Sequence, residues 1–300
     1  MANLNFVHGR WINLDKPGGQ VFFVGGGTVA VNGKSASDTN HGLTPEQPLS
    51  TIDGTAGAFA KVVAGRGDTI VVLPGAVTVT AAIAFDTADV TLTGIDPQGN
   101  INASAIQVNG AIDGISVTGA NAVIENLHFP AGSTAAQTAV INVAAAGTTI
   151  RNCTFACGAN NLDTVTIAAA GLHTVVEHNR FYVEANGPDS AVVIEDAAAH
   201  FVEIKDNIFN GMNTTNSWDE AAVESTVAHL SCLVTRNQFI MIGAHSIQFS
   251  AAATGIISYN VFGNGTLTAM LDPGSCMCFE NYEADAVDET GRIFPTSAAS

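Results

Sequence analysis

A six-residue phrase, written six times, constrains this chain more than anything else in it. The copies are Ile124-Glu-Asn-Leu-His-Phe129, Ile150-Arg-Asn-Cys-Thr-Phe155, Val176-Glu-His-Asn-Arg-Phe181, Ile204-Lys-Asp-Asn-Ile-Phe209, Val234-Thr-Arg-Asn-Gln-Phe239 and Ile257-Ser-Tyr-Asn-Val-Phe262. Each sets a β-branched residue five places ahead of a Phe, and the next copy follows after about twenty to thirty residues. No copy shows the spacing of an apolar helix face. A unit this short cannot bury its apolar side alone, whereas stacked copies bury a continuous core. The repeat therefore predicts an all-β solenoid in which each unit is one coil of short strands.

The position before the last two residues of the phrase carries Asn179, Asn207, Asn237 and Asn260, and a decayed last copy adds Asn281. The first two copies hold Leu127 and Cys153 there and carry their Asn one place earlier, at Asn126 and Asn152. Asn tolerates the left-handed backbone region, and its amide bonds local backbone. These residues are expected to turn a structural corner between two strands, with amides stacked at the strand spacing of about 4.8 Å. A second apolar run lies between most phrases: Val140 to Val143, Val165 to Ile167, Val192 to Ile194, Ala221 to Val223 and Ser246 to Phe249.

With this pattern of strand, Asn corner, Phe strand, loop and strand, the chain resembles the right-handed parallel β-helix superfamily of pectin-lyase-like architecture. The resemblance spans about residues 68–283 and implies a single-stranded right-handed solenoid of about eight or nine coils. It says little about function, because the architecture serves polysaccharide lyases and hydrolases, phage tailspikes and capsid-attached proteins alike.

In chain order, residues 1–20 stand outside the repeat as an N-terminal arm that ends in Pro17-Gly-Gly19. Its Phe6, Arg10, Trp11 and Ile12 are the candidate partner-binding residues, since large apolar groups and Arg anchor interfaces. Residues 21–67 supply a lead-in strand, a loop and a capping helix. Ser50 with Asp53 resembles a capping box, and Ile52, Ala56, Phe59, Ala60 and Val63 share one helical face. Asp38-Thr-Asn40-His-Gly42 opens like a calcium loop, but Leu49 stands where the twelfth position needs an acid, so it is read as a turn. The solenoid occupies residues 68–283, and residues 284–300 form a C-terminal tail.

The charges narrow the partners. The chain has 10 basic and 27 acidic residues and a net charge of −17, which opposes nucleic acid and anionic membranes. Charged residues make up only 12 % of the chain, too few to cover a solenoid's long flank, so part of that flank is expected to lie against other chains. Five cysteines without framework spacing fit a reducing compartment rather than a disulfide scaffold, and no half-site for zinc is completed. No cofactor and no metal are expected. No secretory signal and no apolar run long enough to span a membrane are visible.

The resemblance makes a polysaccharide-active enzyme the natural rival reading. Such enzymes work on the outer face of one strand row with clustered carboxylates and a basic clamp. The row expected here exposes Thr166, Val193, Val223 or Gln248, depending on which alternate residue faces out, with no Lys or Arg in it, and Glu224 is among the acids beside it. The best catalytic candidates are Asp219 and Glu220, which follow Trp218, together with Glu195 and Asp196; adjacent acids in loops read more simply as solvated. The expectation is therefore no catalytic residue and no enzyme. By resemblance, the chain is expected to be a phage virion protein made in the host cytoplasm and carried on the virion surface. That role is a capsid decoration protein, homotrimeric and attached to the major capsid or another virion protein through its arm. The alternative is a tailspike-like or other polysaccharide-active β-helix enzyme.

Overall fold

The computed structural model describes residues 4–7, 10–13, 18–25, 35–97, 103–131, 137–158, 161–185, 188–211, 217–240, 245–263 and 270–283. Within them the chain is a parallel β-solenoid. Strands of successive coils stack into sheets of ten, nine and eight strands, in which each strand pairs with the one a coil earlier and the one a coil later. The Ile150 phrase shows the register. Thr149–Arg151 lies between Val123–Glu125 and Val175–Glu177 in the ten-stranded sheet, so Ile124, Ile150 and Val176 stack in one column. Phe155 stacks between Phe129 and Phe181 in the nine-stranded sheet.

The Phe column is the centre of the core. The rings of Phe129, Phe155, Phe181, Phe209, Phe239 and Phe262 lie nearly parallel, with successive centroids 4.7 to 5.1 Å apart. All six are buried, so every copy of the phrase adds one aromatic layer at the strand spacing.

The Asn column differs from the expectation in one respect. Asn179, Asn207, Asn237, Asn260 and Asn281 are buried and form a ladder. Asn207 Nδ2 donates to Asn237 Oδ1 at 3.0 Å and to Val176 O at 2.8 Å, and Asn207 N–H donates to Asn237 Oδ1 at 3.0 Å. The left-handed residue, however, is the one before it: His178, Asp206, Arg236, Tyr259 and Glu280 have φ between 51° and 57°. Asn126 (φ 57°) and Asn152 (φ 52°) occupy that bend position, while Leu127 and Cys153 fill the buried column. The one-place shift in the first two copies thus marks two separate roles, the bend and the buried amide. A second left-handed column, which the sequence pattern does not reveal, turns the chain into the ten-stranded sheet through Asp89, Asn121, Gly147, His173, Phe201 and Ser231.

The capping helix is absent. Residues 51–63 run as turns and bends, since Gly54 takes φ +97° and Gly57 lies so close to Asp53 O that a Cβ would clash at 2.3 Å. The Asp53 carboxylate accepts Gly54 N–H at 2.6 Å and Ala84 N–H at 2.8 Å instead of closing a capping box. The apolar residues still plug the end of the core: Ile52, Ala58 and Phe59 are buried, and Phe59 packs on Phe85 with centroids 4.8 Å apart. Asp38 belongs to a turn, as expected, with its carboxylate taken by Ser50 N, Thr51 N and Thr51 Oγ1. Burial alone would raise this carboxyl, but the bonds from Thr51 and Ser50 outweigh it and hold it below the usual carboxylate range.

The arm contains an antiparallel hairpin of Leu4–Val7 and Arg10–Asn13, with Phe6 opposite Trp11 and Asn5 opposite Ile12. It forms a two-stranded sheet of its own. The tail of residues 284–300 lies outside the described residues.

Candidate functional site

Charge is segregated around the solenoid. On the ten-stranded sheet and its corner, opposite charges stack coil on coil: Arg151 Nε meets Glu125 at 2.7 Å, Lys205 Nζ lies 2.6 Å from Glu203 and 3.6 Å from Glu177, and Arg236 meets Asp206 at 2.7 Å. Arg66 is paired with Asp68 at 2.6 Å, and Arg180 lies over the Tyr182 ring. The eight-stranded sheet has no Lys or Arg on any of its described strands. Its acids have no cation on their own strands to answer them.

The strands there are Gln137–Val143, Asn161–Ile167, Ser190–Ile194, Ala221–Ser225 and His245–Phe249. One register row is Asn142, Thr166, Val193, Glu224, Gln248, Asp272, and another is Asp163, Ser190, Ala221, His245. Val223, expected in the outer row, faces the core instead, and Glu224 takes its place in the row. Alternation breaks between the rows, because Val140–Ile141, Ala191–Val192 and Ala222–Val223 each send two consecutive residues into the core. That break turns Asp163 and Ser190 to the same side as Glu224, whose Oε2 accepts from Ser190 Oγ at 2.7 Å.

Asp163 is the unusual group. Half-buried on this face, it has its carboxyl raised to about 7, first by desolvation and then by the charges of Asp189, Glu195 and Glu224; the Ser190 N–H bond offsets only part of this. Glu195 is raised by burial and by Asp113 and Glu224, and Asp189 by burial and by Asp219 and Glu220. A carboxyl raised towards neutrality beside others in different surroundings is the arrangement that separates general acid from general base.

The four acids singled out in the sequence occupy different places. Asp219 and Glu220 are exposed, with their backbone N–H groups bonded to Pro188 O and Asp189 O at 3.0 Å, one coil earlier. They act on the site only through the field they add at Asp189. Asp196 spends Oδ1 on its own turn, accepting Ala198 N–H at 2.8 Å. Glu195 alone belongs to the cluster around Asp163. Trp218 is 1 % exposed and packs edge-on to Phe209, so it offers no platform to a sugar. No group of three or more His, Cys, Asp and Glu residues among the described residues has metal-site geometry.

No family model matches the chain, and no curated protein matches it. Among solved structures, pectate lyase Pel9A is similar with a TM-score of 0.55 and 13 % identity, over 90 % of this chain and 78 % of that one. A rhamnogalacturonan lyase is similar with a TM-score of 0.44 and 12 % identity, over 94 % of this chain and 91 % of that one. The likeness to Pel9A places the fold among pectin-lyase-like β-helices. It also corrects the expectation that the chain is no enzyme. The fold is like that of a pectate lyase, and two acids, Asp163 and Glu224, are set on strands of the eight-stranded sheet and half-buried there.

Proposed function

We propose that this chain hydrolyses a neutral or amine-bearing polysaccharide on the outer face of the eight-stranded sheet, with Asp163 as proton donor and Glu224 as the base that activates water. The observation that carries this reading is the half-buried Asp163 among other carboxyl groups on a sheet whose described strands hold no Lys or Arg. Glycoside hydrolysis needs two carboxyl groups in opposite protonation states, one protonating the leaving oxygen while the other draws a proton from water. Elimination from a uronate makes other demands: a base for the sugar proton and positive groups for the substrate's carboxylates. Here Arg151, Lys205 and Arg236 are spent on carboxylates of another face, and a polyuronate on this sheet would meet like charge.

The test is a panel of neutral, amine-bearing and uronate polysaccharides, assayed for new reducing ends and for the absorbance of unsaturated products. Reducing ends from a neutral or amine-bearing polymer, with no unsaturated product, is the expected result. Unsaturated product from a polyuronate, or no product from the whole panel, would refute it.

A setting on a phage particle, as capsid decoration or as a tailspike-like protein, is favoured by a separate observation. The flank of the last coils exposes Ile240, Ile256, Tyr259, Met277 and Tyr282, with Met277 at 69 % exposure. Large apolar groups exposed on two sheets and the corner between them, on a chain this poor in charge, call for cover from another surface. Purified particles should then contain the chain in a fixed copy number, and its absence from them would remove this setting while leaving the hydrolytic site untouched.

A further inference from the structure

Two elements at the start of the solenoid lack the partner their geometry calls for. The Gly75–Val79 strand is the last of the nine-stranded sheet and pairs only with Ser104–Val108. Gly75 N–H donates to Ala103 O at 2.9 Å and Val79 O accepts from Asn109 N–H at 2.9 Å, so the residues in phase with Gly75 spend their backbone groups on that neighbour. In a parallel pair the alternate residues turn theirs the other way. This puts the N–H and C=O groups of Ala76 and Thr78 on the opposite edge, and both residues are exposed. Among the described residues, nothing bonds to that edge. A cleft of about 290 Å³ runs beside it, bounded by Ile52, Asp53 and Gly54 on one side and by Val77, Thr78 and Ile83 on the other.

The second element is the hairpin of Leu4–Val7 and Arg10–Asn13, which among the described residues pairs only with itself. A lone two-stranded hairpin is marginal in water and gains stability by joining a larger sheet. The chain leads from it to Val21–Val24, the last strand of the ten-stranded sheet, which stands at the same end of the solenoid as the open edge.

We propose that the Arg10–Asn13 strand of a second copy adds to the open edge of Gly75–Val79 and extends the nine-stranded sheet by strand addition. Main-chain bonding of this kind needs an extended segment and an unpaired edge, and the chain carries both. Trp11 and Ile12 are strong strand formers, and Arg10 brings positive charge to a cleft walled by Asp53. A second copy is the partner because, among the described residues of one chain, the hairpin stands as a separate sheet. With donor and acceptor at the same end, copies can exchange hairpins and close a symmetric assembly.

The test is light scattering on the full chain, on a chain lacking residues 1–13, and on Thr78→Pro. Proline at that position removes an N–H from the open edge while sparing the bonds to Ser104–Val108. The full chain should associate, and each variant should weaken association at least tenfold while keeping the parent's β-rich circular dichroism. Should Thr78→Pro fold poorly, Thr78→Lys places a charge on the same edge without touching the backbone and is expected to have the same effect. A monomeric full chain, or an oligomer that persists in the truncated chain or in the folded edge variant, overturns the proposal.

Discussion

Replacing Asn237 with Val is expected to destabilise the chain by about 4 kcal/mol and to lower its thermal midpoint by on the order of 10 °C. The side chain has 0 % exposure and holds four bonds. Its Oδ1 accepts Asn207 N–H at 3.0 Å and Asn207 Nδ2 at 3.0 Å, and its Nδ2 donates to Ile204 O at 2.9 Å and Asn260 Oδ1 at 3.1 Å. Val fills most of the space and satisfies none of these groups. Asn207 N–H and Ile204 O are then left buried without partners, at about 1–3 kcal/mol each. Differential scanning fluorimetry against the parent checks this, and an unchanged midpoint would show that the ladder contributes nothing.

The second large effect is expected at Asp163→Asn, in two separate readouts. Hydrolysis should fall to background, because Asn keeps the shape and the acceptor for Ser190 N–H but has no proton to give. Stability should move the other way. Folded Asp163 titrates at about 7, against about 4 for an unfolded aspartate. Between those values the folded chain holds a proton that the unfolded chain has released. The contribution of Asp163 to stability is therefore fully present below about pH 4 and is lost as pH rises through about 7. Asn is spared that loss, so Asp163→Asn should melt above the parent at pH 8, with the gap closing by pH 4. Equal midpoints at pH 8 would mean that Asp163 is ionised without penalty, and the proton donor would have to be sought elsewhere.

The fold was legible because it is written in repetition. Ile150, Val176, Ile204 and their equivalents stack because each coil must place a β-branched residue at the same point, and the Phe column follows by the same logic. Periodicity reports which residues are alike, not what each one bends or bonds. The bend therefore went to Asn179 and its column, whereas the backbone turns one residue earlier, where His178, Asp206, Arg236 and Tyr259 share no chemistry to betray it. The capping helix failed for a local reason: the apolar spacing of Ile52, Phe59 and Val63 was helical, but Gly54 and Gly57 lie inside it.

The site was less legible than the fold. Glu195 and Glu224 stand out as acids beside the row, but strict alternation counted from Val165 assigns Asp163 to the core side. Only the doubled core pairs, such as Ala191–Val192, reverse that assignment. The available signal was the alignment of Asp163-x-Val165-x-Ile167 with Ser190-x-Val192-x-Ile194 and Ala221-x-Val223-x-Ser225, which puts an acid where the next two coils hold Ser190 and Ala221. Asp219 and Glu220 drew attention through their neighbour Trp218, and that ring is buried.

The central claim is that Asp163 keeps its proton near neutrality, and carboxyl carbon-13 NMR tests it without any substrate. Aspartate-labelled protein is titrated, and the Asp163 signal is assigned by its loss in Asp163→Asn. The account predicts a midpoint near 7 for that signal. A midpoint at about 4, the value of an ordinary aspartate, would contradict it.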